Sequence, residues 1–399
     1  NTKLVVLDDD PTGIQTVHGC LLLTEWGDKL VREALMDEQD FFYILTNTRA
    51  MTPQEAETVI RSAMETVVRV NEEFGYRLIF VSRSDSCLRG HFPLEPEVMS
   101  SVLQEHGISV WHPIPFAPAL IEAGRVTINN AHYMKDGDTL TPLSETEFAH
   151  DNVFGYTTSV LPEYIHEKGA NPADYEIVNA SDYSDLYAYV DKLRKDIASF
   201  NGAVVIRSSS SLPKALSGIE DKPLLDRSIL KRGGVGCFIV GSHVKKTTQQ
   251  LNNLLNADGI EGLEVSVREL LDNGERLLSK ILDNIAEIAA DGKTPVVYTS
   301  REEVRLDDAD ARQLLGQRVS DFLVSIAANL PFTPSYLIGK GGITSHDILT
   351  KGLGVHSARV LGQIITSVPC VMTPEFPYII FPGNVGDEHS LSDVYKKLA

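Results

Sequence analysis

The chain has 399 residues, 23% charged and 43% hydrophobic, a composition that excludes a disordered tail protein and leaves apolar material for more than one core. Its length predicts two or three domains. With 36 basic residues against 55 acidic ones the net charge is −19, which argues against nonspecific binding to nucleic acid or an anionic membrane, since both need a positive surface.

In chain order, Leu4 to Leu7 is a strand-like apolar run ending in Asp8-Asp9-Asp10-Pro11-Thr12-Gly13. Three adjacent carboxylates raise one another's pKa unless cations or hydroxyls intervene, so the cluster suits proton abstraction from a hydroxyl or Mg²⁺ binding; the plain alternative is a solvated turn capping the next helix. Phe41 to Leu45 leads to Thr46-Asn47-Thr48-Arg49, and Thr52-Pro53-Gln54-Glu55 opens a helix with a capping box. Leu78 to Val81 runs into Ser82-Arg83-Ser84-Asp85-Ser86-Cys87-Leu88-Arg89-Gly90. Guanidinium groups bond a carboxylate through two parallel N–H groups and hydroxyls read a polyol, so this stretch, with Arg49, suits a small sugar acid; its plain alternative is an Arg–Asp pair on a surface turn. Ala203 to Ile206 runs into Arg207 and the serines Ser208 to Ser211.

The pattern weakens over residues 222–236, which reads as a linker, and a second series then begins. Gly236 to Val240 is strand-like and leads through Gly241-Ser242-His243 into a helix over Lys245 to Asn256. Glu269 to Ala290 reads as helix, Pro295 to Tyr298 as strand and Ala311 to Leu330 as helix. Two glycine turns follow strand-like runs: Gly341-Gly342-Ile343-Thr344 after Tyr336 to Ile338, and Pro382-Gly383-Asn384-Val385-Gly386 after Tyr378 to Phe381. Backbone N–H groups in such turns can form a nest for phosphate, with Ser242 beside them. Strands alternating with helices predict two α/β domains with mostly parallel sheets, 1–232 and 233–399, with the ligand site in the cleft between them.

Several chemistries lack their signatures. GxxxxGK[ST], GxGxxG after the first strand, HExxH and GxSxG do not occur. His91, His112 and His132 read as structural or surface residues, and Lys245-Lys246 as a solvated helix face. Cys20, Cys87, Cys237 and Cys370 form no CxxC pair and read as reduced thiols; with no signal-peptide pattern and no apolar run of membrane-spanning length, they predict a cytoplasmic protein.

Asp9-Asp10-Pro11-Thr12-Gly13 resembles the DDxTG opening of the four-carbon acid sugar kinases, the DUF1537 family. Ser82 to Gly90 is similar to its KTDSTLRG segment, Pro115-Phe116-Ala117-Pro118 and Glu122-Ala123-Gly124-Arg125 to its central stretch, and both glycine turns to its nucleotide loops. These matches keep their order over nearly the whole chain. The resemblance implies an acid-sugar domain followed by an ATP domain, and transfer of the γ-phosphoryl group of ATP, with Mg²⁺, to a terminal hydroxyl of threonate, erythronate or a 3-oxo-tetronate. It implies catalysis by Asp9 or Asp10, substrate binding by Asp9, Arg49, Ser82, Arg83, Ser84, Asp85, Ser86 and Arg89, and ATP binding by Ser242, Gly341, Gly342, Ile343, Thr344, Gly383, Asn384 and Gly386. No metal held by the protein alone is expected, and a homo-oligomer is left open. The chain departs from the family pattern at Arg83, where the motif has Lys, at Cys87, where it has Thr, and at Arg207 to Ser211. A DxDxT reading of Asp8, Asp10 and Thr12 as a haloacid-dehalogenase-like phosphatase is the main rival, and a non-catalytic sugar-acid sensor a third reading.

Overall fold

The computed structural model describes residues 1–300 and 309–399, which divide into two compact units, Asn1–Asp221 and Lys222–Ala399. The division falls earlier than the linker reading placed it. Residues 222–236 are tied to the second unit: Leu225 N–H donates to Gln363 O at 2.8 Å, Lys222 Nζ to Leu361 O at 3.0 Å and Lys231 Nζ to Pro374 O at 3.2 Å.

The first unit contains strands β1 (Thr2–Asp8), β2 (Leu21–Leu23), β3 (Phe41–Leu45), β4 (Arg77–Arg83), β5 (Ile114–Ala117), β6 (Arg125–Ile128), β7 (Ala131–Asp136), β8 (Thr139–Pro142), β9 (Tyr175–Ile177) and β10 (Val204–Ser208). Seven of them form a wholly parallel sheet in the order β2-β3-β1-β4-β10-β5-β9. Strands buried on both faces read as continuous apolar runs, which is why β1, β3, β4 and β10 were visible in the sequence. Helices α1 (Asp28–Met36), α2 (Pro53–Asn71), α3 (Leu94–Glu105), α4 (Leu161–Glu167), α5 (Tyr183–Asp196) and α6 (Ser211–Ser217) complete the unit. Its capping box fixes the start of α2: Thr52 Oγ1 accepts from Glu55 N at 3.3 Å, and Glu55 Oε2 accepts from Thr52 N at 2.9 Å. The antiparallel sheet β6-β7-β8 is an addition the sequence reading did not foresee.

The second unit contains β11 (Cys237–Val240), β12 (Ile260–Val265), β13 (Thr294–Thr299), β14 (Leu337–Lys340), β15 (Ser357–Ile365), β16 (Val368–Met372) and β17 (Pro377–Phe381), in the order β12-β13-β11-β14-β17-β16-β15. The first five in that order are parallel, and β16 and β15 continue antiparallel. Its helices are α7 (Lys245–Leu255), α8 (Val267–Ala290), α9 (Ala309–Ala328), α10 (Gly342–Asp347) and α11 (Ser390–Leu398). Each unit has its own apolar core, one built around Val5, Ile44, Phe80 and Val205, the other around Phe238, Val296, Ile338 and Ile379. No described helix is long and apolar enough to cross a membrane.

In each parallel sheet the strand order reverses once beside the first strand. The reversal lies between β1 and β4 in the first unit and between β11 and β14 in the second. Connections leave the two strands in opposite directions there, opening a crevice at their carboxyl ends.

Candidate active site

The first crevice holds the Asp8–Asp10 cluster. Asp8 is the last residue of β1, level with Arg83, the last of β4, and Ser208, the last of β10, is level with Arg83 in turn. Arg83 Nη1 lies 2.8 Å from Asp8 Oδ1 and 3.4 Å from Asp9 Oδ1, and its Nε donates to Ser210 Oγ at 3.1 Å. Arg49, in the turn after β3, forms a two-point pair with Asp9, Nη2 to Oδ1 at 2.6 Å and Nε to Oδ2 at 3.1 Å. Ser84 Oγ donates to Asp9 Oδ2 at 2.5 Å. Two arginines therefore supply the counter-charge that three adjacent carboxylates require.

Depth separates the three acids. Asp8 and Asp9 are buried, and burial pushes the Asp8 carboxyl up to about 7 against the pull of Arg83; among the described residues its Oδ2 has no hydrogen-bond partner. The Asp10 side chain is 23% exposed. Burial opposes its ionisation, but the Arg49 and Arg83 charges and two bonds from Thr12, hydroxyl and backbone N–H to Oδ1, outweigh it and hold Asp10 below its ordinary value. Asp10 thus presents an ionised carboxylate at the rim, with Oδ2 3.6 Å from Arg49 Nη1.

The substrate residues expected from Ser82 to Arg89 fall into two layers. Arg89, its side chain 27% exposed, pairs with Asp85 through Nε at 2.6 Å and packs over the Phe148 ring at 5.1 Å. The ion pair of the plain reading is therefore present, at the rim of the crevice. Ser82 and Arg83 form the deeper layer. The strand extends through Arg83, so both side chains are buried and committed to protein partners. Ser82 Oγ donates to Glu95 Oε2 at 2.8 Å, and Arg207 Nη1 reaches Ser82 Oγ and Glu95 Oε2, each at 2.8 Å. Ser84 and Ser86 are buried as well; the Ser86 carbonyl meets His132 Nε2 at 2.7 Å. A small cleft at this rim is lined by Ser84, Asp85, Leu88, Phe116, Tyr164 and Arg207.

Sequence reasoning missed Glu95 and, although it singled out Arg207 and Glu122, gave them no place among the site residues. Thr48 Oγ1 donates to Glu95 Oε1 at 2.5 Å, so one carboxylate ties together β4, β10 and the turn after β3. Glu122 accepts from Ser211 Oγ at 2.8 Å and from the Tyr183 hydroxyl, which fixes the serine turn. His91 is held by the Thr48 and Met51 carbonyls, and burial lowers His132 to about 4, so both are structural; His112 is exposed. Asp8, the nucleophile of the phosphatase reading, is fully buried and paired with Arg83.

The second crevice brings together Ser242, Gly341 and Gly383. Gly341 has φ +116°, a backbone state that only glycine adopts readily, and a Cβ there would lie 3.1 Å from Ser242 Cβ. A Cβ on Gly383 would lie 3.0 Å from Ser242 Oγ. From α7, Thr247 Oγ1 donates to Gly383 O at 2.9 Å, Gln250 Nε2 to Val385 O at 2.9 Å and Lys246 Nζ to Asn384 O at 3.1 Å. The close backbone approach suits the phosphate nest inferred from the glycine turns. Of the other expected residues, Thr344 is buried beside Gly241, while Ile343, Asn384 and Gly386 are exposed. Among the described residues no three His, Cys, Asp or Glu side chains gather as a metal cage.

Two family models match the chain. A sugar-binding N-terminal domain covers residues 4–208 and a nucleotide-binding C-terminal domain covers residues 237–391. Among solved structures, a Haemophilus influenzae protein described as DUF1537 matches over 99% of this chain and 100% of its own, at 16% identity and a TM-score of 0.68. A Salmonella typhimurium LT2 protein provisionally described as a tRNA synthase matches over 100% of both chains, at 18% identity and a TM-score of 0.70. These likenesses establish a shared fold. A search of the curated proteins found no match.

Proposed function

Because this chain belongs to the DUF1537 family, that of the four-carbon acid sugar kinases, we propose that it transfers the γ-phosphoryl group of ATP to a terminal hydroxyl of a four-carbon sugar acid such as threonate, erythronate or a 3-oxo-tetronate. The observation that carries the reading is that one chain holds both a rim carboxylate, Asp10, in its sugar-binding unit and a glycine nest in its nucleotide-binding unit.

Phosphoryl transfer is mostly positioning and charge neutralisation. Asp10, ionised at neutral pH, accepts the proton of the attacking hydroxyl at Oδ2. Arg49 and Arg89, the more exposed guanidinium groups, take the substrate carboxylate, while buried Arg83 and the Glu95–Arg207 pair hold the acids in register. Ser242 and the backbone N–H groups of Gly342 and Gly383 hold the phosphates. Magnesium, which would neutralise charge on the phosphates, enters with the nucleotide. The carboxylates at the end of β1 already have arginine partners, a donor set ill suited to a further cation. Such an enzyme would work in the cytoplasm, where thiols such as those of Cys87, Cys237 and Cys370 stay reduced.

The test is a screen of four-carbon acids with ATP and magnesium, the product mapped by phosphorus NMR. One acid should be phosphorylated, and Asp10→Asn should lower turnover by about 10²- to 10⁴-fold while ATP affinity is kept. Unchanged turnover in that variant removes Asp10 from the reaction. Binding of a sugar acid without ATP consumption would favour the sensor reading.

A further inference from the structure

Lys340, the last residue of β14, is fully buried directly beneath the glycine turns. Its ammonium donates to Pro382 O at 2.5 Å and Gly383 O at 3.1 Å, and lies 4.4 Å from the centroid of the Phe381 ring. The next residue, Gly341, donates its N–H to Phe381 O at 2.8 Å, so the two glycine turns are joined at this point. Both hydrogen-bond partners of the ammonium are backbone carbonyl dipoles. In the turn after β11, the Gly241 and Ser242 N–H groups donate to the Lys340 carbonyl oxygen, and α10 contributes Ser345, whose hydroxyl lies 2.8 Å from Gly339 O and 2.5 Å from Gly341 O. The charged group acting on it is Lys246 of α7, another cation. Among the described residues it has no salt-bridge partner.

Holding an ammonium in such a place is costly unless an anion completes it. The carbonyl groups it bonds belong to the turn whose Gly383 borders Ser242. We propose that Lys340 is a positioning residue for the nucleotide: it clamps the Pro382–Gly386 turn against the β14 turn, and phosphate bound at those turns supplies its missing counter-charge. The proposal rests on the kinase reading, which places a nucleotide there.

Burial first, and Lys246 second, hold the Lys340 ammonium down to about 7 in the free protein. An anion nearby raises a lysine pKa. Below the free value the group is already charged and binding takes up nothing; above it, binding draws in a proton. Calorimetry of magnesium–ATP binding to the full chain, repeated in buffers of different ionisation enthalpy, measures this uptake. It should approach one proton at about pH 8 and fall towards zero at about pH 6. Lys340→Met should abolish the uptake and weaken ATP binding about tenfold. Lys340→Arg, permanently charged, should abolish the uptake while binding more tightly than Lys340→Met. Should Lys340→Met not fold, the native chain and Lys340→Arg decide the matter. Nucleotide binding without uptake in the native chain, or uptake that persists in a variant, overturns the inference and leaves the kinase reading standing. No nucleotide binding at all in the native chain overturns both.

Discussion

Asp8 and Asp10 are two residues apart, yet their surroundings push their proton affinities in opposite directions. Asp8 is raised to about 7 from an ordinary value of 3.8, chiefly by burial. A group raised in the folded state stabilises fully below its unfolded pKa, and that contribution is lost as pH climbs through the folded value. The first unit should therefore lose stability between about pH 4 and about pH 7 on account of Asp8. Asp8→Asn cannot ionise, so its stability relative to the native chain should improve by on the order of 2 kcal/mol from about pH 5 to about pH 8. Urea unfolding followed by tryptophan fluorescence checks this, since Trp26 and Trp111 both lie in the first unit. A difference independent of pH would mean that Arg83 keeps Asp8 ionised throughout. The placement of Asp9, Asp10, Arg49 and Arg89 near a strand end was legible in the sequence because polar side chains follow apolar runs there. The depth of Ser82 and Arg83 was not. Their strand runs two residues past Val81, the last apolar position, and their partners Glu95 and Arg207 are remote in sequence.

At the scale of elements, the strand–turn–helix alternation was legible because parallel strands covered on both faces are continuous apolar runs. The short strands β6 and β8, four residues each, and the alternately buried β15 carry no such run and were missed. The order of strands, which creates both crevices, is set by tertiary packing and has no local signature. The turn after β4 shows how closely these elements fit. Gly90 has φ +126°, and a Cβ there would lie 2.2 Å from Ser84 Oγ and 3.0 Å from Asp9 Oδ2. Gly90→Ala must therefore strain the backbone, by about 1–3 kcal/mol, and displace Ser84 from Asp9. The expected outcome is a higher KM for the sugar acid with unchanged ATP affinity, read by steady-state kinetics beside calorimetry. An equal loss of both affinities would mean that the damage spreads beyond the first unit.

For the whole molecule, the net charge of −19 opposes the approach of any anionic substrate, while the contacts that would hold it are local. Arg49 and Arg89 are about three-quarters or more buried and already paired with carboxylates, so little of their charge projects into solvent. Long-range repulsion and short-range pairing respond differently to salt. Raising ionic strength from about 20 mM to about 200 mM shortens the screening length from about 20 Å to about 7 Å, which removes the distant repulsion and spares partly buried pairs. Under the kinase reading, the KM for the sugar acid should therefore fall, by about twofold, over this range. An enzyme that captured its substrate by exposed arginines would show the opposite, a KM rising severalfold with salt. Initial rates at fixed magnesium–ATP, with ionic strength varied by a weakly interacting salt, separate the two. A rise would place the positive potential outside the crevice and shift the search for the carboxylate-binding groups to the surface arginines.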